Sequence, residues 1–171
     1  MTFSTFRRQA FFPGRMTARW YQEMIACARE TCPFYLFAYV IMPEHVHLVL
    51  QPLPGVTMRR ILWHLKKPMT DKVIECVKTH QPSFLTRLAD RRPSGNIVHR
   101  FWMRGGGYDR NLRSSNDVHE KIGYVHGNPV RRGLVECPEE WPYSSASDWI
   151  LDKPGPVPID WNHIPDPELR R

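Results

Sequence analysis

Apolar and polar positions change their spacing along the chain so as to mark alternating strands and helices. Residues Phe3–Arg7 read as a short first strand that ends near the turn signal Pro13-Gly14. The stretch TARWYQEMIACARET then opens on a candidate Thr17 cap and sets Trp20, Met24, Cys27 and Ala28 at helical spacing, with Pro33 beyond its end. FYLFAYVIM and HVHLVLQPL flank the short break Pro43-Glu44, which predicts a hairpin whose second strand begins at or just before His45. A second helix is expected from Thr57 to about Lys78, apolar at Ile61, Leu62, Leu65, Met69, Val73 and Val77, and kinked or broken at Pro68. Residues His80–Asn96 lack periodicity and read mostly as loop. Val98–Trp102 and Tyr108–Leu112 are candidate strand pieces around Gly105-Gly106-Gly107. A third helix runs from a Ser115, Asn116 or Asp117 cap to about Gly127, where Asn128-Pro129 stops it. The proline-rich stretch after Ile150 should be extended and lie on the surface. The order β-α-β-β-α-β-α without a repeat predicts an α+β sandwich, an antiparallel-biased sheet with helices on one face.

Length and charge narrow the classes. With 171 residues the chain fits one compact domain, and 42% hydrophobic residues is ordinary for a globular protein. No apolar run approaches the roughly 20 residues needed to cross a bilayer, and MTFSTFRRQAFF lacks a secretory pattern. A soluble, cytoplasmic protein is therefore expected, with no membrane partner. The formal charge of +7 favours a polyanionic partner, because phosphate contacts release condensed counterions. Cys27, Cys32, Cys76 and Cys137 form no CxxC pair, so neither a zinc ribbon nor a disulfide framework is expected. There is no P-loop or dinucleotide-binding glycine motif, so no nucleotide cofactor is expected.

Three segments carry candidate chemistry. On a strand, His45 and His47 project from one face while Val46 and Leu48 face the other, so the two imidazoles can converge on one cation. On a helix, Tyr124 and Asn128 share a face one turn apart; an amide oxygen is an acceptable third ligand and the tyrosine would lie beside it. His126 is turned away from that face. Around Phe101, Trp102 and Tyr108 cluster Arg100, Arg104, Arg110, Arg113, Arg131 and Arg132: guanidinium forks for phosphates and aromatic platforms for unpaired bases. Each segment also has a plain structural reading: half-exposed strand histidines, a packed helix tyrosine, a solvated basic surface.

Taken together, MPEHVHLVL, RFWMRGGGYDRNLRS and YVHGNPVRRGLVECPEEWPYSS resemble the REP-associated tyrosine transposases, one-tyrosine enzymes of the HUH endonuclease superfamily. The likeness spans about residues 3–150, leaving 151–171 as a tail. It implies a ferredoxin-like fold, His45 and His47 as the metal-binding pair, Tyr124 as nucleophile and Asn128 as the polar residue that helps hold Mg²⁺ or Mn²⁺. It implies DNA contacts over Arg100–Arg113 and a single-stranded or hairpin DNA substrate, cut through a 5′-phosphotyrosine link, with the chain acting as monomer or homodimer. Met103 stands where the family often carries Gln, and Gln81–Asn96 is longer than a minimal member needs. The alternative is a domesticated descendant that binds hairpins without cutting them.

Overall fold

The computed structural model describes residues 1–12, 15–105 and 107–167; Pro13-Gly14 and Gly106 lie outside them. The predicted hairpin forms β2 (Phe34–Met42) and β3 (His45–Pro52), paired antiparallel with Met42 opposite His45 and Val40 opposite His47. The first strand is shorter than expected. β1 covers Thr2–Ser4 and lies antiparallel against β3, Thr2 opposite His47 and Ser4 opposite His45, before a 3₁₀ turn at Phe6–Arg8. The sheet order is β1-β3-β2, which places the histidine strand in the centre.

Of the expected strand at 98–102, Val98 and His99 are strand in a separate small hairpin, while Trp102, and Tyr108 from the expected strand at 108–112, make single bridges along the free edge of β1, with Thr5 and Thr2. Thr2 and Tyr108 exchange both backbone hydrogen bonds, at 2.7 and 2.8 Å. Gly107 makes this approach possible. Its φ is +87°, and a Cβ there would stand 2.1 Å from the Thr2 carbonyl oxygen. Gly107→Ala is thus predicted to destabilise the protein by about 1–3 kcal/mol through backbone strain alone. Thermal unfolding checks this: an unchanged melting temperature would show that residues 107 and 108 do not pack on β1.

Strand alternation sends Phe3, Val46, Leu48, Leu36, Tyr39 and Ile41 to one side of the sheet, where α1 (Arg15–Thr31) and α2 (Met58–His80) cover them. The other side carries Val40, Met42 and Val49, packed under Val118, Ile122 and Val125 of α4 (Ser115–His126). The α+β class with an antiparallel sheet holds, but the helices do not share one face. Each buried α4 side chain contributes about 1.5–3 kcal/mol, enough to fix that helix over the histidine side of the sheet. The unbroken apolar run of β2, FYLFAYVIM, is the signal of a strand covered on both faces, and its nearly continuous burial agrees.

Several expectations need correcting in detail. The buried face of α1 is Ala18, Tyr21, Gln22, Ile25 and Ala28, with Cys27 exposed. α2 is not broken at Pro68, and Thr57 caps it by accepting the Arg60 N–H at 3.3 Å. One turn of that helix is held from outside, since the Trp102 indole N–H donates to the Lys66 carbonyl at 3.1 Å. The stretch read as loop, His80–Asn96, contains the end of α2, a short α3 (Leu85–Leu88) and β4 (Ala89–Arg91), which pairs just beyond it with β5 (Ile97–His99). α4 begins one residue earlier than expected, with the Ser114 hydroxyl accepting the Asp117 N–H at 3.1 Å. After Asn128, a short α5 (Asn128–Arg131) follows, and α6 covers Ala146–Leu151.

The segment beyond α6 is not surface-lying throughout. Val157 and Ile159 are buried in the main core. The Asp160 carboxylate accepts from the Arg29 guanidinium at 2.6 Å and from the Leu36 N–H at 2.7 Å, tying the segment to α1 and β2.

Candidate nuclease site

His45 and His47 sit on the central strand, on the face covered by α4, and both are buried. The Glu44 carboxylate accepts from His45 Nδ1 at 3.1 Å, so the ring proton is on Nδ1 and Nε2 presents a lone pair. His47 Nδ1 lies 2.6 Å from Thr2 Oγ1, the cross-strand neighbour set by register. The two Nε2 atoms face each other at 3.0 Å. A contact that short holds either one N–H between the rings or a cation drawing both lone pairs. Burial lowers both imidazoles below the usual histidine range, His47 to about 3, where the neighbouring His45, Lys121 and Arg131 add to the effect. Both rings are therefore neutral at pH 7, the state a metal ligand requires.

The donor set fits a hard or borderline divalent cation. Two neutral imidazole nitrogens 3.0 Å apart suit a borderline divalent cation, which would leave its remaining positions to oxygen donors. Among the described residues no group of three or more His, Cys, Asp or Glu could hold a metal ion, so further donors must be amide, solvent or substrate oxygens.

α4 brings Tyr124 to this pair. Its ring meets His47 edge-on, with centroids 5.9 Å apart, and is 46% exposed. Lys121 Nζ and the Arg131 guanidinium carbon stand 4.1 and 4.4 Å from the tyrosine ring centroid, which concentrates positive charge beside the phenol. Helical turns continue past α4, with Gly127 N–H on the Gly123 carbonyl and Arg131 N–H on the Gly127 carbonyl, both at 3.0 Å. Pro129 has no N–H for the Val125 carbonyl, and Asn128 Nδ2 donates there instead at 3.3 Å, and to the Tyr124 carbonyl at 3.0 Å. That commits the amide nitrogen of Asn128 and leaves Oδ1 as its acceptor. Arg131 also donates to the Tyr124 carbonyl.

The predicted nucleic-acid contacts divide into two groups. Tyr108 (63% exposed), Arg110 and Arg113 line a cleft of about 580 Å³ that also includes Thr2 and Lys121, neighbours of His47 and Tyr124. Arg100 and Arg104 lie elsewhere, both paired to Asp90, along a groove shared with Arg59, Trp63 and Lys67 of α2. Trp102 is 4% exposed and packs edge-on against Phe3 and Phe101 at 5.0 and 4.8 Å. It is a core residue, not a stacking platform. Arg132 bonds Glu44 at 2.7 Å. Sequence reading missed Thr2, Glu44 and Lys121. Glu44 directly precedes His45 and Lys121 lies one turn before Tyr124, signals that were available; Thr2 enters only through strand register.

Residues 1–87, just over half of the chain, match the family model described as transposase, IS200-like. The chain belongs to the IS200-like transposase family. This transposase, a member of a DNA-processing family, is 29% identical over 153 residues to a protein of Haemophilus influenzae described as a REP-associated tyrosine transposase, covering 86% of this chain and 80% of that one. It is 25% identical over 129 residues to the REP-associated tyrosine transposase of Escherichia coli K12, covering 75% and 63%. A solved structure of a REP-associated tyrosine transposase bound to a REP hairpin superposes with a TM-score of 0.65 at 17% identity, over 99% of this chain and 90% of that one, a likeness of fold. The family match includes His45 and His47 and stops short of Tyr124. No helix among the described residues is long and apolar enough to cross a membrane.

Proposed function

We propose that this transposase is a metal-assisted endonuclease and strand transferase that cuts single-stranded DNA at hairpin-bearing repeats, with Tyr124 as nucleophile. The observation that carries the reading is the Tyr124 ring standing against His47, whose Nε2 faces that of His45. His45, His47 and Asn128 Oδ1 would hold Mg²⁺ or Mn²⁺. Such a cation supplies Lewis-acid polarisation of the scissile phosphate and neutralises charge that develops on it.

The remaining work falls to the chain's own groups. Tyr124 Oη attacks phosphorus in line; the new Oη–P bond forms as the P–O3′ bond breaks. The phenol gives up its proton, the departing oxygen gains one, and the products are a 5′-phosphotyrosine and a 3′-OH. Lys121 and Arg131 already lie beside the ring and offer positive charge where a phosphate must come. Attack by a 3′-OH on the same phosphorus reverses the step, releases Tyr124 and joins strands. The link conserves the phosphodiester energy, so no nucleotide is consumed. Hairpin DNA is favoured as substrate by the kinship with REP-associated transposases, one of which is bound to a REP hairpin. Tyr108, Arg110 and Arg113 in the adjoining cleft suit unpaired bases and their phosphates.

The test is an oligonucleotide carrying a hairpin and single-stranded flanks, labelled at its 3′ end to follow the adduct and at its 5′ end to follow the released 3′-OH fragment, incubated with the full chain in Mn²⁺, Mg²⁺ or EDTA. The expected result is a denaturation-resistant protein–DNA adduct, with a free 3′-OH fragment, in either metal and none in EDTA. Cutting that ignores EDTA, or that leaves no covalent species, contradicts the reading.

A further inference from the structure

Glu44 lies in the turn between β2 and β3, where a carboxylate is ordinarily solvated, yet it is only 7% exposed. Its backbone carbonyl accepts from the Thr5 N–H at 2.9 Å and from the Thr5 hydroxyl at 3.0 Å, which pins the turn to the end of β1. A single side-chain oxygen, Oε1, then receives His45 Nδ1 at 3.1 Å and Arg132 Nη1 at 2.7 Å, with Arg8 Nη2 at 3.9 Å. Burial raises the Glu44 carboxyl, but Arg132 and His45 outweigh it and hold the group below its ordinary value, so it is an anion at neutral pH.

Arg132 approaches from the tyrosine side. Its N–H bonds the Asn128 carbonyl at 3.1 Å, at the end of the helical path that runs from α4 through Gly127 into α5. Asn128 and Arg131 clasp the Tyr124 carbonyl along that path. The Glu44 carboxylate is thus a direct link between the strand that bears the histidines and the helical segment that bears the tyrosine.

We infer that Glu44 and Arg132 are positioning residues that brace the site: Glu44 aims His45 Nε2 at His47, and through Arg132 it holds the α4–α5 segment, and so Tyr124, against the histidine pair. The inference rests on the reading of the pair as a metal site and of Tyr124 as nucleophile. It gives Arg132 a role different from the phosphate contact its sequence context suggests. The link is asymmetric: Arg132 is half-exposed and can turn to solvent if Glu44 is lost, whereas Glu44 is buried and, if Arg132 is lost, keeps Arg8 at 3.9 Å as its guanidinium neighbour among the described residues.

The test uses the full chain with Glu44→Ala, Glu44→Gln, Arg132→Ala and Arg132→Lys. Three quantities are measured: Mn²⁺ affinity without DNA from the paramagnetic resonance of free Mn²⁺, hairpin affinity in EDTA, and adduct rate at saturating oligonucleotide. Glu44→Ala should weaken Mn²⁺ binding about 10–100-fold, as loss of a carboxylate behind a ligating histidine does, and Glu44→Gln should restore most of it by keeping an acceptor for Nδ1–H. Arg132→Ala should leave Mn²⁺ and hairpin affinities near wild type while lowering the saturated adduct rate roughly 10–100-fold, with partial recovery in Arg132→Lys. Wild-type Mn²⁺ affinity in Glu44→Ala overturns the brace. So does an Arg132→Ala protein that loses hairpin affinity but keeps its saturated rate, the behaviour of a phosphate contact. A wild type that takes up no Mn²⁺ overturns the metal reading itself, and the brace with it.

Discussion

Replacing Tyr124 by Phe abolishes the covalent adduct, lowering its rate by at least about four orders of magnitude, while hairpin binding and stability stay near wild type. The expectation follows from what the substitution spares. The phenyl ring keeps its edge-on contact with His47 at 5.9 Å and its place beside Lys121 and Arg131. Tyr124 is half-exposed, so losing its hydroxyl opens no cavity. Only the hydroxyl proposed to attack phosphorus is removed. Gel detection of the adduct beside a binding titration checks both halves. An undiminished adduct would remove Tyr124 from its role and direct attention to Tyr108, the exposed tyrosine of the adjoining cleft.

His45→Ala and His47→Ala form the second large effect. Each is expected to lower metal-stimulated cleavage about a thousandfold or more, equivalent to several kcal/mol of lost transition-state stabilisation. The double variant should be little worse than either single one, because two ligands of one cation act as a unit. Losses that multiply would mean the rings act separately. The pH dependence adds a signed check. A free histidine gains its proton as pH falls through about 6.5. These two resist protonation because burial holds them lower, His47 at about 3. Mn²⁺ affinity should therefore fall less between pH 7 and 6 than a pair of ordinary histidines would allow, provided the fold is intact; a decline centred near 6.5 would show that the rings are solvated in solution.

What could be read from the sequence was local. The hairpin and the shared face of His45 and His47 follow from alternation around a two-residue turn, and the Tyr124–Asn128 relation follows from helical spacing. The brace and the Thr2–His47 contact did not, because they join residues 88 and 45 positions apart and need the register and the packing of α4 to meet. Trp102 was misjudged for a related reason. Arginines beside an aromatic look the same whether the ring faces solvent or, as here, sits among Phe3, Phe12 and Tyr21. In the C-terminal segment the prolines masked Val157 and Ile159, whose two-residue spacing is all that signals burial. The covering of both sheet faces had a signature in the unbroken apolar run FYLFAYVIM, but which helix lies on which face needs the tertiary structure.

The central claim is that Tyr124 carries the severed DNA end, and peptide mass spectrometry tests it most directly. Wild-type protein is incubated with Mn²⁺ and a hairpin oligonucleotide, the adduct is digested with nuclease and trypsin, and the modified peptide is sequenced. Cleavage after Lys121 and Arg131 releases IGYVHGNPVR, in which Tyr124 is the sole tyrosine. The predicted result is a 5′-phosphonucleotide on Tyr124 of that peptide. The same mass on the peptide bearing Tyr108, or DNA cut with every tyrosine unmodified, would contradict the account.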